Sequence, residues 1–230
     1  MNTKTKLISA AAIFGALSST AALGAVNDWE DPSVSDEPAT NAEKPMNLSV
    51  EFFYAASMDE YAEGVSDTKV NLFGDAFLLN RQISFQNSPV AFDVGLLAIL
   101  DYGYSDYSDY YYTGYYYSKV ELTQFDFMVG PQFGVRFLPA EAVSFGLGAQ
   151  LGIDYRYGKV EETGYRDATE SKLGTFLGFY ANMKIDLSEI CDLSLTYRLM
   201  QTNVDFEDDL KGAEKDIGYH MFAIGVNFKF

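Results

Sequence analysis

The closing stretch, Gly218-Tyr219-His220-Met221-Phe222-Ala223-Ile224-Gly225-Val226-Asn227-Phe228-Lys229-Phe230, decides the fold. Counting back from Phe230, every second residue is large and apolar: Phe228, Val226, Ile224, Phe222. Lys229, Asn227, Gly225, Ala223 and Met221 alternate with them and are polar, small or flexible. A period of two places the two sets on opposite faces of a strand. Chain termini ordinarily fray, so an apolar row that runs to the last aromatic needs a continuous apolar surrounding. A strand that closes a barrel in lipid supplies one.

The same period recurs upstream. Strand one, Asn47 to Ala56, sets Leu48, Val50, Phe52 and Tyr54 against Ser49, Glu51 and Phe53. Strand three aligns Phe92, Val94, Leu96, Ala98, Leu100, Tyr102 and Tyr104. Strand four aligns Phe125, Phe127, Val129, Phe133, Val135 and Phe137, and strand five aligns Val143, Phe145, Leu147, Ala149, Leu151, Ile153, Tyr155 and Tyr157. Strand six carries Leu173, Leu177, Phe179, Ala181, Met183 and Ile185; strand seven carries Leu193, Leu195, Tyr197 and Leu199. Strand two, within Lys69 to Phe85, is apolar on both faces, and a bulge near Gly74 or Asn80 would reconcile its two rows. Pro131 lacks an amide hydrogen in a strand with no free edge, so a second bulge is expected at Gly130-Pro131.

Short connections (Gln86 to Pro89, Leu138 to Ala142, Ser188 to Asp192) alternate with long polar ones (Met58 to Thr68, Ser105 to Ser118, Gly158 to Ser171, Asp205 to Asp216). That rhythm predicts an all-β, eight-stranded antiparallel up-and-down transmembrane barrel, with tight turns on one rim and loops on the other. A soluble secreted ligand-binding barrel also alternates, but it needs a charged outward face. Here the apolar rows of strands three to eight hold no Asp, Glu, Lys or Arg, as lipid demands. The second face carries charges of both signs among small residues, which suits a narrow, filled interior. Within it Glu51, Asp93, Asp126, Arg136, Asp154, Arg156, Lys184 and Arg198 are expected to form an ionic network, since an unpaired interior charge is costly.

The flanking sequence agrees. Lys4 and Lys6 precede an apolar run from Leu7 to Leu17, and Ala22-Leu23-Gly24-Ala25 offers a cleavage site after Gly24 or Ala25. Residues 1–25 therefore read as a secretory signal peptide. Residues 26–46, with three prolines and several acids, read as a flexible acidic periplasmic tether before a barrel over residues 47–230. The formal charge of −17 becomes −19 once the two signal lysines are removed (−17 − 2), which disfavours nucleic acid as a partner. The lone Cys191 excludes an intrachain disulfide framework.

Signal peptide, eight amphipathic strands and the closing I-G-V-N-F-K-F resemble the outer-membrane β-barrel family of OmpX- and OmpA-type barrels and opacity proteins. The resemblance implies outer-membrane localisation, contact with outer-membrane lipids, and a C-terminal signal (Phe222, Ile224, Val226, Phe228, Phe230) read by the barrel-assembly machinery. The family is functionally diverse, so fold alone assigns no activity. From Tyr102 to Tyr117 nine tyrosines crowd one loop. Tyr107, Tyr110, Tyr111, Tyr112, Tyr115 and Tyr116 are either a recognition surface for a glycan or host protein, or a tall aromatic rim. The acidic loop clusters Asp205, Glu207, Asp208, Asp209 and Glu161, Glu162, Asp167, Glu170 match no dedicated calcium loop. His220, the only histidine, lacks the serine that a lipid hydrolase would need two residues on. A non-enzymatic protein without cofactor or metal is expected, acting in envelope structure or surface interaction through four long loops; a lipid-modifying enzyme and a narrow channel are the alternatives.

Overall fold

A computed structural model describes residues 46–58, 70–84, 88–110, 117–140, 142–162, 167–206 and 216–230. The signal peptide, the tether before Met46, Tyr111, Tyr112, Tyr115 and Tyr116, and the side chains of Tyr107 and Tyr110 lie outside the described residues.

Eight strands follow one another: β1 (Met46–Ser57), β2 (Asn71–Ser84), β3 (Val90–Tyr110), β4 (Tyr117–Ala140), β5 (Val143–Glu162), β6 (Ala168–Ser188), β7 (Cys191–Asn203) and β8 (Asp216–Lys229). Each pairs antiparallel with its sequence neighbours, and β8 returns to β1, so the sheet closes in strand order. The last amide, of Phe230, donates to the carbonyl of Met46 at 3.0 Å, which ties both ends of the barrel together.

The register sets the barrel's dimensions. Met46 lies opposite Arg81, Arg81 opposite Val94, Val94 opposite Phe133, and Phe133 opposite Ala149. The circuit continues through Phe179, Leu199 and His220 to Ala56. One turn around the barrel thus climbs ten residues on β1 (56 − 46). With strands spaced ~4.8 Å and rising ~3.3 Å per residue, that shear corresponds to a tilt of ~41°. An eight-stranded barrel of this kind is just wide enough to be filled by its own side chains.

Neither bulge expected from the sequence is present. The β1–β2 and β2–β3 registers run without a shift, so Leu72, Gly74, Ala76, Leu78 and Asn80 share one face, with Phe73, Asp75, Phe77, Leu79 and Arg81 on the other. Both faces of β2 are apolar because its inward residues pack an apolar layer of the interior; no extra residue is needed. At Gly130-Pro131 the β4–β5 register is the same on both sides (Val129 opposite Ile153, Gln132 opposite Gln150). A proline removes one donor from a ladder but adds no residue to it. The irregularities sit instead at the short-turn rim, between Phe137 and Ala140 and between Asp186 and Ser188.

Strand length is uneven. β1, β2, β7 and β8 have 12, 14, 13 and 14 residues, whereas β3 to β6 have 21, 24, 20 and 21. Much of the two segments read as loops, Ser105 to Ser118 and Gly158 to Ser171, is therefore paired strand: the β3–β4 ladder continues to Tyr110 opposite Tyr117. Beyond the apolar zone both faces meet water, so the two-residue period that marks a strand is lost although the ladder continues.

Inward glycines make room for aromatic rings from β6. A Cβ on Gly134 would lie 2.0 Å from the Tyr180 hydroxyl, and one on Gly148 would lie 2.6 Å from Tyr180 Cε1. Gly134 and Gly148 are opposite each other, so together they form the bed for that ring. Gly152 does the same for Phe176, whose Cε1 is 2.7 Å from the Cβ position.

Candidate functional site

The interior is built in layers, each set by the inward residue of successive strands. Nearest the short turns is a polar layer. Arg136 donates from Nε to Asp93 Oδ2 (2.8 Å) and from Nη1 to Ser144 Oγ (3.0 Å), and it reaches Asn182 Oδ1 at 3.2 Å. Slightly higher, Glu51 accepts from Arg198 Nη2 (2.5 Å), Thr196 Oγ1 (2.7 Å) and Ser194 Oγ (3.2 Å). Lys184 does not meet an acid directly, the partner expected of it; its Nζ donates to Asn227 Oδ1 (3.0 Å), and Asn227 passes the contact on to Asp192 Oδ2 (3.0 Å). Asn227 is inward on β8 and links the two charges through one amide, accepting at Oδ1 and donating from Nδ2.

Above this lies an apolar layer of Phe53, Ala76, Leu78, Leu97, Ile99, Met128, Phe176, Met200 and Met221, all buried. A second ionic group follows. Arg156 Nε donates to Asp126 Oδ1 (2.9 Å), and its Nη2 to Asp154 Oδ2 (3.1 Å) and Thr202 Oγ1 (2.8 Å). Gln124 donates to Asp126 and, at 3.3 Å, to the Tyr219 hydroxyl. Asp101, opposite Asp126 in the register, is buried in the same group. Val204 and Phe206 then pack against Val160 and Ala168 over the far end. The interior is a packed core with two ionic layers.

Sequence reasoning named the eight charged members and missed Asp101, Asp192, Asn227, Thr196 and Thr202. The signal was present, since Asp101 falls between Leu100 and Tyr102 in the alternation and must face inward with Asp126. The polar partners were invisible because a threonine or asparagine in a strand declares no partner until the register is known.

The outside is the reverse of a soluble surface. Phe52, Phe73, Leu151, Phe179, Phe222, Ile224 and Phe228 all point outward and are exposed, up to 66% for Phe52, while Arg156 and Asp126 inside are 0% exposed. A soluble protein would place these two sets the other way round, since large exposed apolar patches in water drive association.

The chain is a closed, membrane-spanning β-barrel of eight antiparallel strands. The apolar rows form its lipid face, and the soluble ligand-binding alternative fails on this inversion. Phe92, Phe137, Phe145 and Phe228 ring the girdle near the short turns, with Tyr54, Tyr102 and Tyr104 near its other boundary. Tyr54 donates to Asn71 (2.7 Å), and the Tyr197 hydroxyl lies 2.6 Å from His220 Nδ1. Rings with one apolar side and one polar tip belong at this level.

Two charged residues escaped the face argument, which covered only strands three to eight. Asp75 and Arg81 both lie on the outward row of β2. Arg81, opposite Met46 and thus level with the short-turn rim, can extend its guanidinium to water. Asp75, opposite Phe52 and Leu100, sits well inside the girdle.

No protein-family model matches the chain, and no curated protein matches it in sequence. Among solved structures it is similar to Ail, the attachment invasion locus protein of Yersinia pestis, crystallised with the heparin analogue sucrose octasulfate. The identity is 14% over 81% of this chain and 99% of that one, with a TM-score of 0.43. It is also similar to Neisserial surface protein A (16% identity, 80% and 97% covered, TM-score 0.41). A third likeness is to the outer membrane protease OmpT of Escherichia coli (9%, 85% and 100%, TM-score 0.44). At identities this low, similarity of shape assigns no activity.

Proposed function

We propose that this protein sits in the outer membrane, is not an enzyme, and acts as a surface-recognition barrel. Its contact surface is the wall formed by the outer parts of β3 to β6. The observation that carries this is the difference in strand length: four adjacent strands of 20 to 24 residues stand beside four of 12 to 14. About 9–11 tilted residues cross a bilayer, so the excess on β3 to β6 projects beyond the girdle. The sequence from β3 to β4 carries Tyr107, Tyr110, Tyr111, Tyr112, Tyr115 and Tyr116. Tyrosine offers a flat ring and a hydroxyl for little lost side-chain entropy, a chemistry suited to the hydroxyls and apolar faces of a glycan. The wall also has two free edges: pairing with β2 stops at Tyr104, and pairing with β7 begins only at Thr175, among the described residues. Lys159, with Glu161 and Asp167, adds an exposed ion-pair cluster on the same wall.

In this reading residues 26–45 form the periplasmic tether, Met46 being already part of β1, and Phe222, Ile224, Val226, Phe228 and Phe230 are what the assembly machinery reads. The test is deletion of residues 107–116 in cells displaying the protein, with binding scored on immobilised glycans. Loss of binding with an intact, heat-modifiable barrel supports recognition by the wall. Unchanged binding would leave the long strands as an aromatic rim only.

A further inference from the structure

The two ionic layers differ in charge. In the one nearer the short turns, Asp93, Glu51 and Asp192 stand against Arg136, Arg198 and Lys184, and the signs balance. In the outer one three acids, Asp101, Asp126 and Asp154, are buried with one guanidinium, that of Arg156. Lys172 of β6 is opposite Arg156 but only partly buried. With every acid ionised the buried groups carry an excess of two negative charges (3 − 1).

The register shows why Asp101 is the acid left over. Its partner on β2 is Gly74, which has no side chain, and its partner on β4 is Asp126. Asp126 accepts at both oxygens, from Arg156 and Gln124, and Asp154 accepts from the second arm of Arg156. Thr202 of β7 and the Tyr219 hydroxyl of β8 are engaged by Arg156 and Gln124. Neither oxygen of Asp101 meets a donor among the described residues, although the residue is only 2% exposed. Ile99 and Met128 close the layer on one side, and Val70, Leu72 and Leu122 on the other.

Two carboxylates directly across a ladder repel each other, and burial without a donor adds to the cost. Where two carboxyl groups share one site, a proton is retained between them. Those of Asp101 and Asp126 are within hydrogen-bonding reach of each other. Among the described residues the three acids do not converge as a set of metal ligands does.

We propose that the outer ionic layer is a proton-binding site, in which Asp101 takes a proton from water and donates it to Asp126. The proton supplies the donor that the register withholds, and it removes one of the two excess charges. At neutral pH the folded chain then holds one proton more than the unfolded chain. Its stability therefore falls as pH rises and the proton is lost.

The test uses the full chain reconstituted in lipid vesicles. Infrared spectra in heavy water should show the carbonyl stretch of a protonated carboxylic acid at neutral pH, where exposed carboxyl groups are ionised. The band is expected to vanish in Asp101→Asn, whose amide donates to Asp126 in the proton's place, and to persist in Asp154→Asn. Urea titrations give a second readout. Asp101→Asn should match the unaltered chain at neutral pH and exceed it in alkali, the ratio of their folding constants changing by up to tenfold per pH unit. An unaltered chain without the acid band, or a band that vanishes in Asp154→Asn instead, would overturn the proposal. So would an Asp101→Asn chain that fails to fold or follows the unaltered pH curve, or a stability set by a metal chelator and indifferent to pH.

Discussion

Glu51 is almost completely buried and accepts three side-chain hydrogen bonds, all from β7. It therefore joins the first strand to the seventh across the lumen, an arrangement that only a closed barrel allows. Removing one member of a buried pair leaves the other charge without compensation, at a cost of about 3–5 kcal/mol. Glu51→Ala and Arg198→Ala are each expected to destabilise the barrel by about that amount, and the double substitution by clearly less than the sum. Urea unfolding in detergent micelles, followed by tyrosine fluorescence and far-ultraviolet circular dichroism, measures this cycle. Additive losses would mean that the 2.5 Å contact contributes no coupling. A steric prediction belongs at the same scale. Gly134→Ala meets the Tyr180 hydroxyl first and must displace that ring, and overpacking of this kind costs about 1–3 kcal/mol. Pairing Gly134→Ala with Tyr180→Ala should recover part of the loss in the same assay.

At the scale of the element, β8 and β2 show when alternation is readable. In β8 every outward residue from Phe222 to Phe230 is apolar, and the inward ones are mixed, so the rows separate on sight. In β2 the inward row contributes Leu72, Ala76 and Leu78 to the apolar layer, so the rows look alike and a bulge seems required. What distinguishes them is which neighbour each row meets, and that is a property of the register. The face assignment predicts opposite outcomes for neighbouring positions. Ile224→Lys places a charge on the lipid face, at a cost of about 2–4 kcal/mol near the midplane. Asn227→Asp on the inward row of the same strand keeps the volume and puts its carboxylate on Lys184, whose Nζ lies 3.0 Å from the Asn227 amide oxygen. Unfolding titrations of both variants in lipid vesicles should rank Ile224→Lys as the less stable, and the reverse order would contradict the assignment of faces.

For the whole molecule, the barrel carries its own closure. β1 pairs with β8, and Phe230 bonds to Met46, so among the described residues the sheet closes within residues 46–230. Residues 46–230 alone are thus expected to refold in detergent and to migrate faster unboiled than boiled on a gel, because a closed barrel resists unfolding kinetically. A single migration rate for this fragment would show that the first 45 residues are needed for closure.

The amino-acid order by itself determined the strand count, the antiparallel order, the two faces and the identity of eight interior charges. Each of these follows from side chains alternating along a strand between two solvents, hydrocarbon and a crowded interior. Only the tertiary structure decided which charge meets which, that β2 is unbroken, that β3 to β6 rise as a wall, and that Asp75 of β2 faces outward. Those depend on the shear with which the sheet closes, and shear arises from all eight strands together; no local run of residues encodes it.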